Sequence, residues 1–243
     1  MMELYDYAGT QIAAAPPYVN KTWTLFGDSL TDEYGGKDWN EYKGTQRYSE
    51  GDARCWNGYK FASRIGRELR LTIDNRAYSG SNIYYSEGGT YSSVNGITVL
   101  NAFIAEIEAG TIDCPDYITV AFGTNTYAAS IGTVEDTSET TTTVYGATKY
   151  FIEKLRMLQE NYNSHMVFGF VLPPQGNLAG RDGAGGRTAM KAVLDSAEYA
   201  VPYVDMWQVS GIRPDMLSDG VHIADKRTNN LYYHKMRQFM IGL

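Results

Sequence analysis

Short apolar stretches recur along the chain and alternate with longer segments in which apolar residues return every three or four positions. Short runs rich in β-branched and aromatic residues predict buried strands, and the three-to-four spacing predicts helices. The predicted strands lie at 22–26, 71–78, 116–122, 165–172 and 202–206. The predicted helices lie at 57–69, 99–109, 144–161, 187–199 and 226–241.

Strands that alternate with helices are typical of right-handed βαβ units, in which a parallel sheet is covered on both faces. The pattern therefore predicts an α/β fold. In such a sheet the functional loops gather at the carboxyl ends of the strands. Ser29, Gly80, Asn125 and the pair Asp219 and His222 each follow a predicted strand. Segments far apart in sequence are thus expected at one edge of the sheet.

Two segments are expected to add little to the core. Residues 130–143 are acidic and rich in threonine, which predicts an exposed insertion. Residues 176–186 are rich in glycine but lack the spacing of a phosphate-binding loop, so we interpret them as a flexible connection.

Length and charge narrow the class of protein. A chain of 243 residues can bury a sizeable core, and we expect a leader or linker over 1–20 and a single domain over 21–243. Its net charge of −7, without a dense basic run, disfavours nucleic acid as a partner. No apolar run approaches the ~20 residues of a membrane helix.

The first residues show no basic segment followed by an apolar one, so no signal peptide is predicted. The chain is therefore expected either in the cytoplasm or as part of a larger surface or phage assembly. The sequence does not indicate an oligomeric state.

A serine needs an adjacent base to act as a nucleophile at neutral pH, and histidine is the usual one. Of the three histidines, His165 opens a predicted strand and His234 lies on the last helix. His222 follows a strand and lies three residues after Asp219, a spacing at which a carboxylate can reach the imidazole. Ser29, His222 and Asp219 are therefore the candidate catalytic residues.

Acyl transfer also needs donors for the oxyanion of the tetrahedral intermediate. Gly80 can offer a backbone N–H that no side chain blocks, and Asn125 can offer its side-chain amide. The backbone N–H of Ser29 would be a third donor. Their positions after strands, rather than their residue types, make them candidates.

Four blocks of the chain, in order, resemble those of the GDSL or SGNH hydrolase family. They are Gly27-Asp28-Ser29-Leu30, Gly80, Gly123-Thr124-Asn125 and Asp219-Gly220-Val221-His222. The resemblance implies a flavodoxin-like, three-layer α/β/α sandwich with about five parallel strands. It implies Ser29 as nucleophile, His222 as base, Asp219 as its orienting acid, and Gly80 and Asn125 in the oxyanion hole. In this family Asp28 would brace the turn rather than act in the triad.

Two positions depart from the family pattern. Thr126 stands where the family often has aspartate, and Ile223 stands where it often has proline. Neither departure removes a catalytic group. The Gly-x-Ser-x-Gly motif of α/β-hydrolases is missing from the sequence, and so is a His-Glu-x-x-His zinc motif. We therefore expect neither a metal nor a cofactor.

Aromatic residues are concentrated in two loops that follow strands with candidate catalytic groups. Tyr34, Trp39, Tyr84 and Tyr85 are therefore candidate substrate contacts, and flat rings beside polar groups suit sugars. The leading hypothesis is an esterase that removes small acyl groups, acetyl above all, from a carbohydrate. The alternatives are a broad short-chain esterase or thioesterase, a lysophospholipase-like lipolytic enzyme, and a non-catalytic glycan-binding module.

Overall fold

The computed structural model describes most of the chain after residue 60 and the first strand of the main sheet. The described ranges are 4–5, 11–12, 18–32, 61–86, 94–177, 179–217, 220–223 and 226–243. No helix within these ranges is long and apolar enough to cross a bilayer.

A five-stranded parallel sheet forms the centre of the fold. Its strands are β3 (Thr22–Gly27), β4 (Thr72–Asn75), β5 (Tyr117–Ala121), β6 (Val167–Leu172) and β7 (Tyr203–Asp205). They lie side by side in the order β4-β3-β5-β6-β7. The chain passes from β3 to β4 on one side, then crosses back to β5 on the other side of β3 and continues outward to β6 and β7. The predicted α/β fold with about five parallel strands is confirmed.

Successive residues of the central strands face opposite helix layers, as the pleat of a strand requires. In β3, Trp23 and Leu25 pack in one apolar cluster and Phe26 packs in the other. The Phe26 ring meets Phe103 and Phe151 edge-on, with centroids 5.3 and 5.9 Å apart. Strand β3 is therefore buried on both faces, as is usual in a parallel sheet, and only its first residue, Thr22, is partly exposed.

The helices are divided between the two faces. Helices α2 (Gly96–Glu108), α3 (Val144–Asn161) and α4 (Gly183–Leu194) cover the face that contains Phe26. Helices α1 (Phe61–Leu69) and α6 (Lys226–Gly242), with the short α5 (Met206–Val209), cover the face that contains Trp23. The result is a three-layer α/β/α arrangement.

The first twenty residues contain two short strands. Strand β1 (Leu4–Tyr5) pairs antiparallel with β2 (Gln11–Ile12). Tyr18 then packs against the domain, where its hydroxyl donates to the Ile241 carbonyl over 3.0 Å. The end of the segment expected as a leader therefore contacts the last helix.

The interpretation of 176–186 as a flexible connection is wrong for its second half. Residues 183–186 form the first turn of α4, which ends at Leu194 rather than at 199. The Asp182 carboxylate caps this turn by accepting the Gly185 N–H over 2.8 Å. A Cβ on Gly186 would lie 2.3 Å from Thr126 Oγ1, so glycine allows the helix to approach the loop after β5.

Candidate active site

The turn after β3 presents Ser29, which is half-buried. The Asp28 carbonyl accepts the N–H groups of Thr31 and Asp32 over 3.0 and 2.8 Å. Asp28 Oδ1 accepts the Leu30 N–H over 3.0 Å. These bonds close a tight turn around the serine, and Asp28 braces it as the family resemblance implies.

The loop after β4 is bound directly to this turn. The Gly27 carbonyl accepts the Tyr78 N–H and the Ser81 hydroxyl, each over 3.0 Å. Gly80 lies between these two anchors with a φ of 83°, a left-handed conformation that favours glycine. The structure therefore brings Gly80 beside the turn that contains Ser29.

Asn125 follows β5 and is almost completely buried. Its Nδ2 donates to the Ser81 carbonyl over 3.1 Å, which fixes the amide against the loop after β4. An amide nitrogen carries two hydrogens, so one more N–H remains for another acceptor. The loops after β3, β4 and β5 are thus joined in one hydrogen-bonded cluster.

This cluster lies where the strand order reverses. Strand β3 has β4 on one side and β5 on the other, so the connection from β3 to β4 and the connection from β4 to β5 run in opposite directions along the sheet. In open parallel sheets, ligands bind in the crevice at such a switch point. Ser29, Gly80 and Asn125 follow the three strands that form it.

His222 reaches this crevice from the far end of the chain. Its Nε2 lies 2.8 Å from Ser29 Oγ, which is a hydrogen-bond distance across 193 residues of sequence. An antiparallel bridge between Leu217 and Ile223 closes the loop that contains His222. The Gly220 carbonyl accepts the Asn177 N–H over 2.7 Å, so the loop is also attached to the segment after β6.

The structure does not place the remaining predicted site residues together in the crevice. Asp219, Tyr34 and Trp39 lie outside the described residues. Tyr84 is completely buried, and its hydroxyl accepts the Tyr127 N–H over 3.1 Å, so its ring packs in the core. Tyr85, its neighbour, is 39% exposed.

Asp28 is a buried carboxyl beside the Ser29 turn. Its Oδ2 atom is buried without a well-formed hydrogen bond among the described residues. Burial raises the pKa of Asp28 to about 6, opposed in part by the Leu30 N–H, by nearby Thr124 and by the charge of His222. This carboxyl therefore becomes neutral in mildly acidic solution, close to the Ser29 and His222 pair.

The two departures from the family pattern have structural roles. Thr126 is buried, and its carbonyl accepts the Asp182 N–H over 2.7 Å, which attaches the start of α4 to the loop after β5. Ile223 forms the bridge with Leu217 that closes the His222 loop. Both residues thus support loops of the crevice.

A cavity that the sequence did not indicate adjoins this crevice. It has a volume of about 220 Å³ and lies between the start of α4 and the segment after β6. Thr124 and Val221 line it, and they are the sequence neighbours of Asn125 and His222. Arg181 also lines it and stacks on Tyr127, with the guanidinium carbon 3.6 Å from the ring centroid. The sequence did not indicate a role for this arginine, because it lies in the glycine-rich segment that we interpreted as a flexible connection.

Comparison with solved structures shows the same fold elsewhere. The chain is similar to a protein from Lactobacillus plantarum, with a TM-score of 0.61, 18% identity and coverage of 92% of this chain and 98% of that one. It is similar to a possible lipase from Chitinophaga pinensis, with a TM-score of 0.54, 16% identity and coverage of 91% and 100%. It is also similar to a catalytic mutant of an acetylxylan esterase from Geobacillus stearothermophilus, with a TM-score of 0.54, 14% identity and coverage of 94% and 97%.

Comparison of the sequence with protein families is more specific. No curated protein matches the sequence significantly. The model of the GDSL-like lipase/acylhydrolase family, however, matches residues 24–232, which include every described residue of the crevice. The chain therefore belongs to the GDSL-like lipase/acylhydrolase family of ester hydrolases.

Proposed function

We propose that this chain is a serine esterase that removes small acyl groups, acetyl above all, from carbohydrate esters. The observation that carries the proposal is the 2.8 Å distance between Ser29 Oγ and His222 Nε2. A serine and a histidine within this distance form the core of a nucleophile and base pair. The family assignment supplies the class of bond, which is an ester.

In the proposed mechanism the Ser29 hydroxyl donates its proton to His222 Nε2 as Oγ attacks the ester carbonyl carbon. The carbonyl oxygen becomes an oxyanion, which the N–H groups of Ser29 and Gly80 and the free amide hydrogen of Asn125 stabilise. His222 then protonates the leaving alcohol, and an acyl-enzyme remains. A water molecule, deprotonated by His222, releases the acid and restores Ser29.

Asp219 completes the proposed triad. A carboxylate that accepts the other ring N–H of the histidine selects the tautomer whose Nε2 is free to accept a proton. It also stabilises the imidazolium that forms during the reaction. We assign this role to Asp219 from its spacing to His222 and from the family resemblance.

Two observations favour a small acyl group on a sugar. The cavity beside the crevice, about 220 Å³, is smaller than the ~300–1,000 Å³ of typical drug-sized sites, so it fits a single polar group of the substrate better than a long acyl chain. A polar arginine and an asparagine line it, which suits hydroxyl-rich groups better than a long acyl chain. The acetylxylan esterase of similar fold is a precedent for an acetyl ester of a glycan on this scaffold.

Chain-length preference tests the acyl specificity. We expect hydrolysis of para-nitrophenyl acetate to be faster than that of the butyrate, and the octanoate to be the slowest, because a small cavity with polar lining beside the crevice offers little stabilisation to a longer apolar chain. The measurement is kcat/KM for each ester. A preference for octanoate would favour a lysophospholipase-like lipolytic enzyme instead. Glycan binding without hydrolysis of any ester would favour a binding module.

The His222 loop offers a second test through Gly220. Its φ is 81°, and a Cβ there would lie 2.7 Å from the Asn177 carbonyl oxygen. Gly220→Ala is therefore expected to displace the loop and His222 with it. A displacement of about 1 Å can reduce the rate roughly 100-fold, and kcat for para-nitrophenyl acetate measures it.

Gly211→Ala is the matched control for this loop variant. Gly211 has a similar φ of 69°, but a Cβ there would meet nothing within 4 Å. Both variants carry the cost of a left-handed alanine, roughly 1–2 kcal/mol, and both should lower the unfolding temperature. Only Gly220→Ala should lower kcat. Equal kcat values in the two variants would contradict the role of the Asn177 contact in positioning His222.

A further inference from the structure

Arg181 lacks the partners that a guanidinium beside a cavity normally has. Its Nη1 atom is buried, and within the described part of the chain it has no hydrogen-bond acceptor. None of the ion pairs among the described residues includes Arg181, although Asp182 is its direct neighbour in sequence. An unpaired charged donor is costly, and the half-buried Arg181 side chain lines the cavity, so a ligand in the cavity that offers acceptors to this guanidinium would bind favourably.

The guanidinium is held in a defined place. Its carbon lies 3.6 Å from the centroid of the Tyr127 ring, a stacking distance that restricts the plane of the group. The Tyr127 N–H donates to the hydroxyl of Tyr84, which is completely buried. Tyr84 thus fixes the main chain of Tyr127, the residue on whose ring Arg181 lies.

The surroundings of Arg181 also favour negative charge. Gly183 and Ala184, in the first turn of α4, line the same cavity, and the first turn of a helix presents free N–H groups and a positive dipole end. Among the described residues that line the cavity, Asp182 is the one with a carboxylate, and its Oδ1 caps this helix. Arg181 is therefore the side chain best placed to bind an anion.

We propose that this cavity binds a carboxylate on the alcohol part of the ester, with Arg181 as the binding residue. The substrate class is an acetylated uronic acid residue of an acidic glycan. A planar guanidinium matches a carboxylate in two parallel hydrogen bonds, which gives orientation as well as affinity. The proposal rests on the proposed esterase function and specifies its substrate.

The position of the cavity connects carboxylate binding to catalysis. Thr124 and Val221 line the cavity and directly precede Asn125 and His222 in sequence. A uronic acid bound through Arg181 would therefore lie beside the group that accepts the proton and the amide that stabilises the oxyanion. Binding at Arg181 would orient the acetyl ester toward Ser29, and its loss should raise KM more than it lowers kcat.

The test compares two substrates that differ only in charge. They are the acetylated methyl glycoside of glucuronic acid and its carboxamide, and the measurement is acetate release as kcat/KM. We expect the wild type to prefer the acid by about 10- to 100-fold, the range of a charge-assisted hydrogen bond. Arg181→Gln should abolish the preference, mainly through KM, and Arg181→Lys should keep part of it.

Two controls separate charge recognition from damage to the enzyme. Para-nitrophenyl acetate has no carboxylate, so Arg181→Gln should lower kcat/KM much less for this ester than for the acetylated glucuronoside. Arg213→Gln removes an exposed arginine that pairs with Asp215 at 3.0 Å, and it should keep the full preference for the acid. Equal rates of the wild type on acid and carboxamide, or a preference that survives in Arg181→Gln, would overturn the proposal.

A binding measurement distinguishes failure of this proposal from failure of the esterase function. Calorimetric titration of the Ser29→Ala variant with the acetylated glucuronoside should show binding that is lost when Arg181→Gln is added. If no ester is hydrolysed but this binding is found, the carboxylate subsite stands and the esterase function fails. If acetyl esters are hydrolysed but no Arg181-dependent binding is found, the subsite is overturned and the esterase function stands.

Discussion

Ser29→Ala should reduce kcat for para-nitrophenyl acetate by roughly ten thousand- to a million-fold, as the loss of other serine nucleophiles does. Such a loss corresponds to about 5 to 8 kcal/mol of transition-state stabilisation. The physical reason is that the variant removes the hydroxyl oxygen that lies 2.8 Å from His222 Nε2. The Asp28 carbonyl and carboxylate, rather than the serine hydroxyl, close the turn, so the fold should be kept.

The control for this variant is Ser164→Ala, which removes an exposed hydroxyl from the loop before β6 and should leave kcat unchanged. Unfolding temperatures of both variants should match that of the wild type. A fluorophosphonate probe, which labels activated serines covalently, should add its mass to the wild type and to Ser164→Ala but not to Ser29→Ala. Retention of more than about a hundredth of the activity in Ser29→Ala would exclude this serine as the nucleophile.

The helices and strands with strong local signals could be predicted from the sequence. Helix α3 has the predicted bounds, because Thr143 caps its first turn and apolar residues repeat regularly along it. Helix α4 begins four residues earlier than predicted, because glycine has low intrinsic helix propensity. The cap at Asp182 and the close contact of Gly186 with Thr126 override that propensity. These are tertiary contacts that a local pattern does not contain.

In the candidate site, too, some features could be predicted from the sequence and others depend on tertiary contacts. The approach of Ser29 and His222 could be anticipated, because all strands of a parallel sheet end at the same edge. The catalytic roles of these residues stay predictions. The exposure of the tyrosines could not be anticipated, since Tyr84 and Tyr85 are neighbours and yet one is completely buried and the other 39% exposed. Arg181 acquires its significance only through the cavity and through Tyr127, which are both products of the folded chain.

His222→Gln is expected to lose about as much activity as Ser29→Ala. The variant removes the acceptor that lies 2.8 Å from Ser29 Oγ, and a serine hydroxyl without an adjacent base is a weak nucleophile at neutral pH. The chain offers two matched controls, His165→Gln and His234→Gln, which remove the remaining histidines from exposed positions. Both control variants should keep the wild-type kcat for para-nitrophenyl acetate, and a large loss in either one would contradict the assignment of the base to His222.

The double variant Ser29→Ala/His222→Gln then tests whether the two residues act as one unit. If His222 serves only to activate Ser29, its removal costs nothing further once the serine is gone, so the double variant should be about as slow as Ser29→Ala alone. Two independent contributions would instead multiply, because their free energies would add. The activity of the double variant against that of Ser29→Ala therefore decides whether the 2.8 Å contact between Oγ and Nε2 is the catalytic one.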